Sequence, residues 1–296
     1  MNRVFIQPLF FILSATALLQ LGGCSAPYKL RADESLQSSN PMHTIAIVGT
    51  ARVIRPRTGS KEAVLTLAHS KKAVEIAVPR LKKAFEKKGY RVSYAQPVGI
   101  GYKWPTNKEN WVYTFESKDG KESEGAKYQI LDGTPAFEYD ATASDPAYRA
   151  AVRQEFENMY LLDTKRKIRE YTPTKANLET IQKVTGGDTI CFMSVWGRQY
   201  SAARKAGALA LQALGALFGA FGSGGPSDAM STHVICSQVA TGKVLWQNWF
   251  AELVDPVEPS EEHFQNVLKL FPKGATQLAH ECKFVDKVAS LYDCDI

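Results

Sequence analysis

Few side chains in this 296-residue chain could do chemistry, and the cysteines are the most informative of them. A thiol can be acylated, can pair in a disulfide or can bind a metal, and its neighbours decide which. The five cysteines are Cys24, Cys191, Cys236, Cys282 and Cys294. The five histidines show no metal-ligand spacing, and they are His43, His69, His233, His263 and His280. The sequence therefore predicts no metal site and no cofactor.

The N-terminal segment has the layout of an export signal. Arg3 precedes an apolar run over residues 4–21, and polar residues and a proline interrupt that run. It is therefore marginal as a permanent span, which needs about 20 mostly apolar residues. The run ends at Leu21, Gly22, Gly23 and Cys24. This tetrapeptide resembles the bacterial lipobox, an aliphatic residue and two small residues before an obligatory cysteine.

The lipobox resemblance implies a processed and acylated protein. Residues 1–23 would be removed as a signal peptide, the Cys24 thiol would carry diacylglycerol, and palmitate would acylate the new amino terminus. Ser25 follows the cysteine, which resembles outer-membrane sorting. We therefore expect a lipid-anchored outer-membrane protein that faces the periplasm. An ordinary secretory signal, or an anchor with a chance cysteine, is the alternative.

The rest of the chain divides into a tether and a folded body. Residues 24–41 are polar and lack apolar periodicity, so we predict a flexible tether that could extend about 55 Å. Residues 42–296 form the body, because a composition of 45% hydrophobic and 22% charged residues is that of a packed globular protein. The net charge of +6 is too small to imply a nucleic-acid partner.

Periodicity along the body predicts an α/β fold, a mixed sheet sandwiched with helices. A buried strand, an amphipathic helix and a second strand open it, and such a unit predicts parallel neighbouring strands. The predicted strands cover residues 43–53, 90–94, 189–196, 231–239 and 243–253, and the predicted helices cover residues 70–88, 145–169, 177–184 and 261–271. Two insertions are predicted, a hairpin region over residues 97–144, with strands at 111–116 and 127–131, and an Ala/Gly-rich helical one over residues 202–230.

Two of the predicted strands carry a cysteine each. If residues 189–196 and 231–239 pair antiparallel around the second insertion, Cys191 faces Cys236. A disulfide and a pair of buried free thiols are equally favoured, because a directly cross-strand disulfide is strained. Cys282 and Cys294 are a second candidate pair, and four cysteines allow three connectivities.

The Ala/Gly-rich insertion contains a candidate interface. As a helix, residues 206–222 would be about 25 Å long, short of a hydrocarbon core of about 30 Å. Large apolar residues share one face and glycines lie beside them, which permits close packing. The predicted interface residues are Leu211, Leu214, Gly215, Phe218, Gly219 and Phe221. A core helix of the same body is equally favoured, contact with a second copy or a membrane surface stays open, and a transmembrane helix is the least favoured interpretation.

The order of elements suggests a family. Together with the GGDTICFMSVW and STHVICSQVATGKVLWQNW segments, it resembles periplasmic auxiliary lipoproteins with a fold like the TolB N-terminal domain and the curli-secretion lipoprotein, over residues 42–275. This resemblance implies that the protein functions by binding an envelope protein partner or by forming a homo-oligomer. We expect a non-enzymatic scaffold or auxiliary subunit of an envelope transport, secretion or assembly complex. A self-oligomerising, membrane-inserting, secretion-channel-like subunit is the alternative.

An enzyme is the least favoured class. The sequence has no GxSxG, HExxH, Walker or GxGxxG motif. Glu138, Asp140 and Asp145 cluster in a predicted loop, where solvated carboxylates are more common than an acid/base pair. We therefore predict no catalytic residues, and hydrolysis of an envelope polymer by such a pair stays a minor alternative.

Overall fold

The computed structural model describes residues 31–33, 36, 42–56, 63–101, 112–116, 122–124, 137–164, 167–202, 205–206 and 227–274. Within these ranges one mixed sheet contains β1 (Arg31–Ala32), β2 (Thr44–Pro56), β3 (Ala63–Thr66), β4 (Arg91–Ile100), β5 (Val112–Glu116), β6 (Glu122–Glu124), β7 (Phe137–Glu138), β8 (Thr189–Arg198), β9 (Ala229–Gln238) and β10 (Val244–Glu252). The helices are α1 (Leu67–Lys87), α2 (Asp140–Ala143), α3 (Pro146–Thr164), α4 (Lys175–Thr185) and α5 (Glu261–Val267), and Ile168–Glu170 forms one 3₁₀ turn.

Strand β2 organises the sheet. It pairs in parallel with β8 from Ile45 to Ile54, and in parallel with β4 on its other side along its first half. Its last residues pair antiparallel with β3. From β8 the sheet continues antiparallel through β9 and β10 to β1. Residues 44–51 of β2 are all buried, as expected for a parallel strand covered on both faces.

The predicted strand–helix–strand unit is confirmed, with β2 and β4 parallel and α1 between them in the chain. The predicted apolar stripe is fully buried, and it consists of Val74, Val78, Leu81 and Phe85. The helix continues through Pro79. Lysines on its exposed side form ion pairs with acidic residues near α5, Lys72 with Glu258 and Lys83 with Glu261. This side is therefore a solvated face rather than a free basic patch.

Helices cover both faces of the sheet, which confirms the predicted architecture. One face packs against α1 and α5 through side chains such as Ile47, Trp246 and Phe264. The other packs against α3 and α4 through Phe156, Phe192 and other apolar residues. Each fully buried large apolar side chain contributes about 1.5–3 kcal/mol relative to exposure, so these two cores stabilise the body.

The close approach of α1 to the sheet depends on a glycine in β2. A Cβ atom added at Gly49 would lie 2.4 Å from Val78 Cγ2 and 2.9 Å from Met193 Cε. Both distances are below van der Waals contact, so only glycine fits while these neighbours keep their positions.

Part of the predicted tether packs against the body. Arg31 and Ala32 of β1 pair antiparallel with Gln247 and Trp246 of β10, and the Asp33 amide donates to the Leu245 carbonyl at 2.8 Å. Leu36 is buried in the α1-side core. The polar composition of residues 24–41 gave no sign of this, because the main chain makes the strand contacts. At these positions the expectation of a flexible tether is therefore wrong.

The hairpin region belongs to the main sheet. Strands β5 and β6 pair antiparallel, as a hairpin requires, and β5 also pairs in parallel with β3. The second strand of this pair is the short β6, and the predicted strand over residues 127–131 lies outside the described residues. Strand β4 continues to Ile100, so the insertion begins later than residue 97.

Candidate functional site

The structure brings together one predicted pair of site residues. Cys191 on β8 is the direct antiparallel partner of Cys236 on β9, as the predicted register requires. Their Cα atoms are 4.0 Å apart and the two sulfurs form a disulfide, and both residues are fully buried. Of the two alternatives that the sequence left open, the structure has the disulfide.

The other predicted site residues lie outside the described ranges. They are Cys24, the cysteines Cys282 and Cys294, and the interface residues Leu211, Leu214, Gly215, Phe218, Gly219 and Phe221. The insertion that carries the interface residues begins and ends at one place on the sheet, because Arg198 of β8 pairs with Ala229 of β9.

Two of the three predicted clustered carboxylates make structural hydrogen bonds. Glu138 accepts two hydrogen bonds from the Arg153 guanidinium, at 2.9 and 3.0 Å. Asp145 Oδ1 accepts from the amides of Ala147 and Tyr148 at the start of α3, which is the arrangement of an N-terminal helix cap. Asp140 is an exposed residue at the start of α2. The three carboxylates therefore have separate surroundings and do not form an acid/base pair.

A cavity of about 380 Å³ lies on the α3 face of the sheet. It occupies the end where β2, β8 and β10 finish and β9 begins, beyond the apolar core of that face. The C-terminal half of α3 and the 3₁₀ turn form one side. Its lining residues are Arg52, Met159, Tyr160, Asp163, Ile168, Ser194, Trp196, Ser231, His233 and Trp249.

Strand pairing fixes the floor of this cavity as two rows of residues. Arg52, Trp196 and Ser231 follow one another across β2, β8 and β9, and Ser194, His233 and Trp249 follow one another across β8, β9 and β10. Trp196 is 37% exposed, and the Arg198 guanidinium lies 5.7 Å from its ring centroid. A cation over an indole face is attracted by the ring's negative quadrupole, which helps to hold this exposed ring.

Hydrogen bonds orient the polar lining groups. Tyr160 Oη and Ser194 Oγ are 3.1 Å apart, and burial raises the pKa of the Tyr160 phenol. The Gln247 amide nitrogen lies 2.9 Å from His233 Nε2, and it also donates to the Ile168 carbonyl at 3.4 Å. These two contacts of Gln247 link the His233 ring to the 3₁₀ turn. The cavity therefore holds a neutral phenol and an oriented imidazole.

Sequence reasoning missed this cavity, although a signal was present. Inward positions on the α3 face change from apolar to polar towards one end, from Ile190 and Phe192 to Ser194 on β8, and from Ile235 to His233 on β9. Each change looks like an ordinary strand end when it is considered alone. Only the pairing of the strands shows that the changes coincide.

A second polar cluster has the connectivity of a nucleophilic triad. Thr232 Oγ1 lies 2.9 Å from His263 Nε2, and His263 Nδ1 lies 3.0 Å from Glu252 Oε2. Thr232 and His263 are fully buried on the α1 face, away from the cavity. A substrate carbonyl cannot reach that hydroxyl, so the cluster joins α5 to the sheet and does not act as a nucleophile.

Comparisons with known proteins do not place the chain in a family. A scan against protein-family models, a search of curated proteins and a search of solved structures gave no match. Among the residues that the structure describes, no helix has the length and hydropathy needed to cross a bilayer. The same residues contain no group of three histidine, cysteine or acidic side chains that could hold a metal ion.

Proposed function

We propose that the protein is a lipid-anchored outer-membrane protein that faces the periplasm. Its body acts as a non-enzymatic scaffold or auxiliary subunit of an envelope transport, secretion or assembly complex. The lipobox at residues 21–24 supports the anchor. The buried Cys191–Cys236 disulfide supports an oxidising compartment, because disulfides are rare in the reducing cytosol.

The direction of β1 carries this proposal. Because β1 runs antiparallel to β10, the chain reaches Arg31 from the end of the sheet where β10 finishes. That end also holds the cavity. Six residues separate Arg31 from Cys24, so the two Cα atoms are seven residue steps apart and at most about 25 Å apart in an extended chain. An acylated Cys24 would therefore hold the cavity end of the body close to the membrane surface, where membrane-associated partners are found.

One observation favours the alternative, a self-oligomerising subunit that inserts into the bilayer. Arg198 and Ala229 are paired neighbours at the cavity end, so both ends of the Ala/Gly-rich insertion leave the sheet on the anchor's side. Deletion of residues 206–222 tests the role of that segment, because a short turn can join the paired strand ends. If assembly is unchanged after this deletion, residues 206–222 have no role in assembly under either proposed function.

The anchor is tested first, by metabolic labelling with palmitate and membrane fractionation. The unaltered protein is expected to incorporate label and sediment with outer membranes, whereas Cys24→Ala is expected to lose both properties. Cys282→Ala is the matched control, because it removes a thiol outside the lipobox. Label that persists in Cys24→Ala would contradict the anchor.

Partner contact is tested by a photo-crosslinking residue placed at each end of the sheet. Leu253 is 75% exposed and follows β10 at the cavity end. Leu270 is 56% exposed and precedes Phe271, which packs against Tyr90 and Trp246 at the opposite end. We expect position 253 to crosslink a distinct envelope protein in intact cells and position 270 to give far less product. If position 253 crosslinks only to other copies of this chain, the self-oligomerising subunit is favoured. If position 253 gives no crosslinked product, both the scaffold and the self-oligomerising subunit are contradicted.

A further inference from the structure

The cavity has two aromatic walls on one face of the sheet. Trp196 stands on β8 and Trp249 on β10, with β9 between them, so their strands are about 9.5 Å apart. Between the two indoles, β9 contributes Ser231 and His233, which are smaller side chains. The negative face of an indole attracts groups that carry a partial positive charge. The C–H groups on the faces of a sugar ring are such groups, and they are also apolar enough to leave water.

The polar lining groups supply both donors and acceptors. Arg52 only donates, the Asp163 carboxylate only accepts, and the hydroxyls of Tyr160, Ser194 and Ser231 do both. A sugar hydroxyl needs this combination, because it donates one hydrogen bond and accepts others. An anionic ligand needs a surplus of cations, whereas the lining residues include one guanidinium and one carboxylate. The lining therefore favours an uncharged polyhydroxyl ligand over a phosphate or a carboxylate.

The size of the cavity limits the ligand. About 380 Å³ lies near the lower end of the range of about 300–1,000 Å³ for ligand pockets, which suits one or two sugar rings. Met159 and Ile168 add an apolar side, where the methyl group of an acetamido substituent could pack. An N-acetylated hexosamine therefore fits the wall chemistry better than a plain hexose.

From these features we propose that the cavity is a saccharide-binding site for one or two uncharged sugar rings, with Trp196 and Trp249 as the stacking platforms. Binding at this site does not depend on the lipid anchor. If the anchor is present, it would place the site where envelope glycans are found, so the body would contact a glycan and a protein partner from the same end.

The test is calorimetric titration of the full mature protein, held in a detergent without a sugar headgroup. The probes are N,N′-diacetylchitobiose, maltose and inorganic phosphate. We expect chitobiose to bind most tightly of the three probes. Trp196→Ala and Trp249→Ala should each lower the affinity for chitobiose at least about tenfold, and Asp163→Ala should also lower it. Leu270→Ala is the control variant, because it removes an exposed apolar side chain at the far end of the sheet and should leave the affinity unchanged.

A conservative pair of variants separates stacking from folding. Trp249→Phe keeps an aromatic ring and should lose less affinity than Trp249→Leu, which keeps only apolar bulk, while both keep the thermal midpoint of the unaltered protein. Equal losses in the two variants would contradict a stacking platform. The proposal is overturned if neither disaccharide binds at about 10 mM, ten times the Kd of a weak millimolar site. It is also overturned if phosphate binds and Asp163→Ala strengthens that binding, which would indicate an anion site.

Discussion

Reduction of the Cys191–Cys236 disulfide should destabilise the body by about 4 kcal/mol. The bond closes a loop between residues 45 positions apart. In the chain-entropy treatment, a loop of this length removes about 13 cal/mol/K from the unfolded ensemble, which is about 4 kcal/mol at 25 °C. The stabilisation acts on the unfolded chain, so the reduced protein should still fold, with a lower free energy of unfolding.

The double variant Cys191→Ala with Cys236→Ala separates the bond from the packing of its sulfurs. Both cysteines are fully buried, so alanine at each position also removes a buried atom the size of a methylene group. A buried methylene contributes about 0.8 kcal/mol, so the packing loss is about 2 kcal/mol for the two positions. We expect the oxidised protein to be most stable, the reduced protein to follow, and the double variant to be least stable.

The assay is urea unfolding of both proteins, with and without reductant, followed by circular dichroism. Cys24, Cys282 and Cys294 are present in both, so any effect of the reductant on them should appear equally in the double variant. The difference between the two responses measures the bond alone. If the reductant shifts both proteins by the same amount, no disulfide joins strands β8 and β9 in solution, and the argument for an oxidising compartment loses its structural support.

Three further outcomes are expected. Glu155→Ala should lower the free energy of unfolding by at least about 3 kcal/mol in urea, because this buried carboxylate accepts hydrogen bonds from Tyr171 Oη at 2.6 Å, the Thr174 amide at 3.0 Å and Asn177 Nδ2 at 2.6 Å. Gly49→Ala should lower it by about 1–3 kcal/mol, since the new methyl group would overlap Val78 and Met193. Burial lowers the pKa of His263 below its ordinary value. The stability that neutral His263 contributes is therefore present above about pH 6.5, and it is lost as the pH falls through the folded-state pKa. Thermal melts at a series of pH values from 7 to 5 should show this loss.

Matched variants keep these outcomes specific. Gln154→Ala removes only an exposed acceptor of Asn177 Nδ2 and should lower the urea midpoint far less than Glu155→Ala. His263→Gln should reduce the fall in thermal midpoint between pH 7 and 5, whereas His43→Gln, at an exposed position, should not. If the midpoint falls equally in the two variants, His263 is not the cause of the pH dependence. Val78→Ala should relieve part of the loss from Gly49→Ala, and strictly additive losses would mean that the two side chains do not overlap.

Much of the fold could be predicted because apolar periodicity is local. The stripe of α1 and the buried strands β2 and β8 are visible within windows of ten to twenty residues, and the predicted parallel pairing of β2 with β4 is confirmed. Strand β1 could not be predicted, because its contacts are made by the main chain and its two residues are too few to show apolar alternation. Strand β6 was not predicted, since three polar residues show no apolar alternation.

The sequence by itself determined the order of the main elements, and its spacing predicted the register that sets Cys191 opposite Cys236. The tertiary structure alone decided the cavity, which gathers Arg52, Tyr160 and Trp249 from positions almost 200 residues apart. Through β1, it also decided the end of the sheet from which the N-terminal chain enters. The reason is physical. Periodicity reports the face on which a side chain lies, whereas long-range strand pairing decides which side chains become neighbours on that face.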